Sequence, residues 1–545
     1  MKKEHNIKNE RKLRTLNDIN IFEDSRKIRI SILIILCAIG FSIRFYFFPE
    51  DLPFLGDAIG YFWYANDMSI LGNFPEGYTT KTVLTPPPNN GWPSFLSLFF
   101  SLINSNNFLD YVNLQRTLTT IISTLTIIPM YFLACKFMQK SYAIICSAAF
   151  IFSPRLIENS LLGLTEPLFL LLGIISLNLF LSDKKYLIIT SFGIAGLFSI
   201  IRYEGLLILI PFTIIFFLRF HKNKTDLLKY TLAVGVFLLI IFPMAMIRTE
   251  TTGQDGLTSH LTHGPKYYAG MINEAEDEKE MFFHFISKGS YNLLQHLVYV
   301  SIPIFVIFIP FGIFEIMRKR EYKKWTVIVF GLIFLIPAFY AYSRGYQDPR
   351  YLFILYPIFC LTVGYTIKRI NLKIKKPKMV FYFSIIILIG CSVIFSLYTI
   401  TDFEKEKEVY EITKDVYILT DTMNRDYEGL GYMKWSNEIV LSEQFPIKQT
   451  EVYEDLGNSK IIIIGRGTNN NFENLNEYLL FAESQKMTHL VLDGNNLNTE
   501  FLKRVFDNET EYTYLTKIYD SKEIGYTQQV KIFKINYDIL SNINK

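Results

Sequence analysis

Apolar stretches close to the length of a bilayer crossing recur along this chain, and they constrain its fold more than any other feature. The first, RISILIILCAIGFSIRFYFF at 29–48, has about the 20 residues that a spanning helix needs. Others lie near 115–135, 137–153, 167–181, 186–201, 205–218, 230–248, 295–317, 325–341, 351–367 and 379–400. Hydrophobic residues make up 50% of the chain and charged ones 19%, against about 25% charged in ordinary globular proteins. The pattern is that of an α-helical polytopic membrane protein whose first partner is the lipid bilayer. It excludes a cytosolic enzyme, a disordered scaffold and a nucleic-acid binder.

The first run is preceded by a basic arm, residues 1–27, and no small-residue cleavage site follows it, so it reads as a retained signal anchor. A shorter run, GWPSFLSLFFSLI at 91–103, is too short to span and suits an interfacial or re-entrant segment. If it does not cross, eleven helices remain and the loop charges alternate. About 27 Lys and Arg then share the side of the N-terminus, against about 8 in the opposite loops, the asymmetry of the positive-inside rule. The expected topology is a multi-pass cell-membrane protein with a cytoplasmic N-terminus. Loops 49–114 and 249–294 and the whole tail 401–545 are expected outside. All of Cys37, Cys135, Cys146, Cys360 and Cys391 sit in apolar runs, which leaves no disulfide framework.

The tail changes character. Strand-like KIIIIG and HLVLDG flank a helical stretch, NLNEYLLFAES, and the alternating VKIFKINY follows, so residues 401–545 are expected to form a soluble α/β domain. Its one glycine-rich stretch, GRGTNNN, lacks dinucleotide-binding spacing and reads as a turn.

Two carboxylates draw attention. Asp57, in FLGDAIGYFWYANDMS, stands just beyond the first helix and is followed by Tyr61, Phe62, Trp63 and Tyr64. Its plain reading is a solvated acid beside an interfacial aromatic belt. Asp67 is a rival in the same stretch. Glu166, in LLGLTEPLFLLLGIISL, stands at the mouth of an apolar helix with a proline behind it, where it could simply satisfy orphan amides and the helix dipole. Glu158 lies farther from that helix start.

FLGDAIGYFWYANDMS, the proline-rich TPPPNNGWPSF and SPRLIENSLLGLTEPLF together resemble glycosyltransferases of the GT-C fold. The branch is that of the protein O-mannosyltransferases (glycosyltransferase family 39) and the lipid A aminoarabinose transferases, and the similarity runs mainly over residues 28–220. The resemblance implies eleven or so helices with an external C-terminal domain. It implies Asp57 as the catalytic acid of the first loop and Glu166 as the second acid, where many relatives carry Asp. It further implies a sugar donor carried on a polyprenyl phosphate, an external acceptor, and in some relatives a divalent metal ion beside the first-loop acid.

That chemistry needs a base for the acceptor hydroxyl and cations for the departing phosphate. Asp57 is the candidate base. The candidate substrate- and phosphate-binding groups are Arg350, Arg155, Arg202, Arg344, Lys266 and Tyr61. Arg350 leads because relatives often carry an Arg-Tyr pair where that helix begins. The alternatives are snorkelling for Arg350 and a local ion pair with Glu204 for Arg202. His260 and His263, three apart in TSHLTHGPKYY, are the candidate metal ligands, although no third ligand accompanies them. A surface-polysaccharide polymerase or ligase and a flippase or transporter for lipid-linked sugars remain alternatives, whereas an oligosaccharyltransferase ranks below them because the tail has no Trp-Trp-Asp-type motif. Acids gathered at one face, rather than deep in the helices, speak against transport.

Overall fold

The computed structural model describes residues 25–54, 56–75, 89–220, 224–260, 262, 278–318, 321–374, 376–400, 403–420, 446, 448, 463–464, 472–484, 488–494, 497 and 499–543. Most of the basic arm therefore lies outside the described residues. The first helix, α1 (Arg26–Tyr46), begins where the Ser25 hydroxyl accepts a hydrogen bond from Ile28 N at 3.4 Å, an N-cap. Inside it the buried Arg44 donates to the carbonyls of Gly40 (2.9 Å) and Ile151 (3.0 Å) and to Ser123 Oγ (3.1 Å), which ties α1 to two later helices. A guanidinium is tolerated there because both of its terminal nitrogens are matched, while Nε finds no partner among the described residues.

The chain continues through α2 (Asp57–Leu71), α3 (Gly91–Phe100), α4 (Phe108–Leu125), α5 (Ile127–Cys135), α6 (Lys140–Ile151), α7 (Pro154–Ser160), α8 (Glu166–Phe180) and α9 (Lys185–Ile201). A 3-10 turn at Tyr203–Ile208 leads into α10 (Leu209–Phe220) and α11 (Lys224–Thr252). After them come α12 (Glu278–Ser301), α13 (Phe308–Met317), α14 (Tyr322–Ser343), a second 3-10 turn at Pro349–Leu355, α15 (Tyr356–Ile374) and α16 (Pro377–Thr399). One hydrophobic core, including Trp92, Phe150, Phe180, Phe198 and Tyr356, unites these helices.

Among the described residues, seven helical segments are long and apolar enough to cross a membrane, or eight if α6 and α7, bent by 52°, form one span. The protein is thus a multi-pass membrane protein. The helices α8, α9 and α13 are apolar but shorter, so the eleven crossings read from loop charge stay an expectation. The run at 295–317 departs from expectation: it breaks between Ser301 and Phe308, where Pro303 has no N–H to continue α12. Loop 49–114 holds two helices, and α11 and α12 both run into the expected loop 249–294. As expected, α3 is too short to span; its ten residues cover roughly 15 Å and bury Trp92, Leu96 and Phe100 against α2.

The tail is a small α/β unit. A helix that sequence patterning did not single out, α17 (Phe403–Thr420), precedes it. Then come β1 (Ile463–Ile464), α18 (Leu475–Ser484), β2 (His489–Asp493), α19 (Glu500–Asp507), β3 (Leu515–Asp520) and β4 (Val530–Ile535), with the sheet in the order β1-β2-β4-β3. The pair β1–β2 is parallel, which requires a crossover, and α18 provides it. The other pairs are antiparallel, with Val491 opposite Ile532 and Lys517 opposite Phe533. One face of α17 covers the sheet: Ile412 and Val416 pack with Val491, Val530 and Ile532. Tyr410 of the same helix packs on Leu52, in the segment that leads from α1 toward α2.

Candidate active site

Two loop–helix junctions form the floor of the site, and α4 fixes both. Arg116 donates to the carbonyls of Pro49 (3.2 Å) and Pro53 (3.1 Å) and also bonds to that of Leu52, with its guanidinium 4.6 Å from the Phe54 ring centroid. The chain then turns at Gly56 (φ 61°) so that Asp57 becomes the first residue of α2. Beside Arg116, Gln115 Nε2 donates to Gly163 O at 2.7 Å and to Ala58 O at 3.4 Å, and Trp92 Nε1 reaches Gly163 O at 3.2 Å. Gly163 itself has φ +70° and packs so closely that a Cβ would sit 2.5 Å from the Phe54 ring. Three residues on, Glu166 opens α8 with Pro167 behind it in the first turn.

Over these two carboxylates lie two guanidinium groups. Arg350 Nη2 is 2.7 Å from Asp57 Oδ2, and its Nη1 is 3.8 Å from Glu166 Oε1. Asp348 holds Arg350 from below: Oδ1 accepts from the Arg350 backbone N (2.9 Å) as the N-cap of the second 3-10 turn, and Oδ2 accepts from Nε (2.6 Å). Arg202, at the end of α9, places Nη1 2.5 Å from Glu166 Oε1 and Nη2 3.0 Å from Glu204 Oε1. Thr165 Oγ1 accepts from Arg202 at 3.3 Å, and Asn159 Nδ2 donates to the other oxygen of Glu166 at 3.4 Å. Asn89, from the proline-rich motif, holds the Arg202–Glu204 turn by accepting from Tyr203 N at 2.8 Å.

The two acids differ in what they can do. The Glu166 side chain is 2% exposed and faces two arginines and an asparagine, whereas that of Asp57 is 59% exposed. Only the latter presents a carboxylate oxygen to an incoming molecule. Burial works against the Arg202 charge, yet Glu204 and Glu166 outweigh it and hold its pKa well above the ordinary value. Tyr61, one helical turn after Asp57 and buried, has its phenol pushed up by burial. Arg202 draws it back and Glu166 and Asp57 push it further, so it stays a neutral hydroxyl. A narrow cleft of about 20 Å³ runs between Glu166, Arg202, Arg350 and the rings of Phe169 and Tyr351, room for a water but not for a sugar.

Sequence-based expectations are met unevenly. Asp57, Glu166, Arg202, Arg350 and Tyr61 come together, and Arg202 proves more than a local partner of Glu204. Arg155 does not join them. It pairs with Glu158 at 3.2 Å and lies 3.9 Å from the Tyr299 ring centroid, because α7 turns it toward α12. Nor does Arg344, which sits against Tyr340 and Tyr346. His260 stacks on Tyr203, centroids 5.4 Å apart. Lys266 and His263 lie outside the described residues. Among the described residues no three His, Cys, Asp or Glu side chains converge as a metal ion requires. Asp348, Asn159, Thr165 and Asn89 were not foreseen; Asp348-Pro349 just before Arg350 is a cap signature that could have revealed the first of them.

With this geometry in place, comparisons with known proteins are informative. Residues 288–430 match the model of the Alg9-like mannosyltransferase family. No curated protein sequence matches the chain. Solved structures do. The Archaeoglobus fulgidus oligosaccharyltransferase in complex with Zn and sulfate superposes with TM-score 0.52 at 13% identity, covering 85% of this chain and 68% of that one. The oligosaccharyltransferase AglB from Archaeoglobus fulgidus, in complex with an inhibitory peptide and a dolichol-phosphate, gives 0.50 at 13% identity over 85% and 69%. ArnT from Cupriavidus metallidurans bound to undecaprenyl phosphate gives 0.52 at 9% identity over 92% and 97%. At such identities the likeness establishes the fold, that of GT-C-like membrane glycosyltransferases with a C-terminal domain.

Proposed function

We propose that this protein is a membrane glycosyltransferase that moves a sugar from a polyprenyl-phosphate carrier to an external acceptor with inversion at the anomeric carbon. One observation carries the reading: an exposed carboxylate, Asp57, lies 2.7 Å from a guanidinium that also reaches the buried Glu166. The match to a mannosyltransferase family and the fold shared with dolichol-phosphate- and undecaprenyl-phosphate-bound proteins support the donor class. The charge asymmetry of the loops supports an external site.

In this mechanism Asp57 takes the proton of the acceptor hydroxyl as its oxygen attacks the anomeric carbon. The bond from that carbon to the phosphate oxygen breaks, and the electron pair leaves with the polyprenyl phosphate. A single displacement of this kind inverts the centre. Arg350 is placed to hold the growing phosphate charge, because a guanidinium fork can exchange a carboxylate for a phosphate. Donor entry between Arg350 and Asp57 would also free the carboxylate to act as base. Glu166 remains between Arg202 and Arg350 and fixes both, so its role is positioning.

The test is reconstitution in vesicles with a radiolabelled polyprenyl-phosphate sugar and a panel of hydroxyl and amide acceptors. Label appearing on an acceptor, with the opposite anomeric configuration, supports the assignment. Movement of the donor across the bilayer without transfer would replace it with a flippase.

A further inference from the structure

One large cavity lies outside this site. A groove of about 980 Å³ lies between one face of α1 and the paired helices α4 and α5, walled by apolar side chains such as Ile34, Phe41, Ile128 and Phe132. These walls are open to the side: Ile34 is 62% exposed and Phe132 57%. Its residues on α1 recur every three or four positions from Arg26 to Phe41, a stripe roughly 22 Å long.

One end of the groove is cationic. Arg26, Arg29 and Lys140 line it, and no acidic side chain does among the described residues. Arg29 and Lys140 both lie within electrostatic reach of Cys135, together with Lys136, so the basic groups of α1 and of the α5–α6 connection converge on one mouth. This mouth stands a whole α1 length, roughly 30 Å, from the end at which the chain enters the Asp57 segment. It is not part of the site described above.

From this we infer that the groove binds an anionic phospholipid of the membrane leaflet on the side of the N-terminus, with its phosphate on Arg26, Arg29 and Lys140 and an acyl chain along α1 and α5. Charge complementarity selects this occupant. A zwitterionic headgroup gains little from three cations, and a free phosphate leaves the apolar shaft empty. A second copy packed α1 to α1 about an axis along the bilayer normal would set Arg26 and Arg29 against their own counterparts. The inference does not rest on the transferase reading.

Native mass spectrometry of the delipidated full chain in detergent, with phosphatidylglycerol or phosphatidylcholine added back, tests it. Wild type should retain a phosphatidylglycerol in preference to phosphatidylcholine. R29Q/K140Q should weaken that retention by about 25-fold, fivefold per basic group. A38W fills the groove while leaving every cation in place, and should abolish the preference as well. K373Q/K376Q, which removes basic groups on the same side but away from the groove, should leave it intact. Equal retention of the two lipids by wild type would overturn the inference, as would wild-type retention in A38W. Loss of equal size in K373Q/K376Q would do the same, and so would displacement of phosphatidylglycerol by polyprenyl phosphate at equal concentration. A wild-type melting temperature for each variant excludes misfolding, and A38W decides the matter if R29Q/K140Q fails that check.

Discussion

Arg350 meets Asp57 at 2.7 Å across 293 residues of sequence, and by this contact the second 3-10 turn closes over the start of α2. Asp348 grips the same guanidinium from its own turn, so Arg350 arrives pre-oriented rather than as a free side chain. A lysine cannot reproduce that fork. R350K should therefore keep the fold yet lower kcat by about 100-fold, the scale of losing a preorganised charge-stabilising donor. Steady-state kinetics with a polyprenyl-phosphate sugar checks this; a wild-type kcat would remove Arg350 from the phosphate-holding role.

Glu166 is expected to matter chiefly for structure. With its side chain 2% exposed and bonded to Arg202 and Arg350, removing its charge leaves two partly buried cations short of an anion. E166Q should cost about 3 kcal/mol of stability, at the low end for breaking a buried pair. A lowered melting temperature in detergent is the readout, and E166D should recover part of it.

Gly163 supports Asp57 from the far side. A methyl group there would sit 2.5 Å from the Phe54 ring at a backbone φ of +70°. G163A should destabilise by about 1–3 kcal/mol and lower kcat more than it raises KM, because Phe54 leads into the turn before Asp57. Unchanged kcat in a folded G163A protein would show that this packing does not position the base.

In the tail, Glu509 bonds to Lys517 at 2.7 Å and Lys531 at 3.1 Å. Burial works against its charge, but the two lysines outweigh it and hold the pKa below the ordinary glutamate value. A depressed folded pKa gives stability that is present above the unfolded pKa, near 4.3, and lost as pH falls through the folded one. Hydrogen exchange of the β3 and β4 peptides should thus be faster in E509Q than in wild type at pH 7. The two should converge at acid pH below the folded pKa.

Much of this was legible in the sequence, and the gaps have physical reasons. Apolar run length marked most of the helices, because a bilayer core demands long apolar stretches, while the orientation read from loop charge stays an expectation. Asp57 stood out because it follows the first apolar run with aromatics behind it, and Glu166 because it stands at the mouth of an apolar helix. Arg155 and Arg344 were expected with them because sequence shows that a cation is near a helix end, not which way the helix turns it. Arg116 went unread inside an apolar run: its partners are the carbonyls of Pro49, Leu52 and Pro53, which no side-chain pattern announces. The helix α17 was missed although Val409, Ile412, Thr413 and Val416 already show a helical stripe; its charge-rich composition hid it.

The most direct measurement is of Asp57 itself. D57N keeps the shape and removes the base, so single-turnover transfer from a labelled polyprenyl-phosphate sugar should slow by at least about 100-fold while donor binding and melting temperature stay near wild type. Transfer at the wild-type rate by D57N would contradict the assignment of this carboxylate as the base, and with it the mechanism proposed for the site.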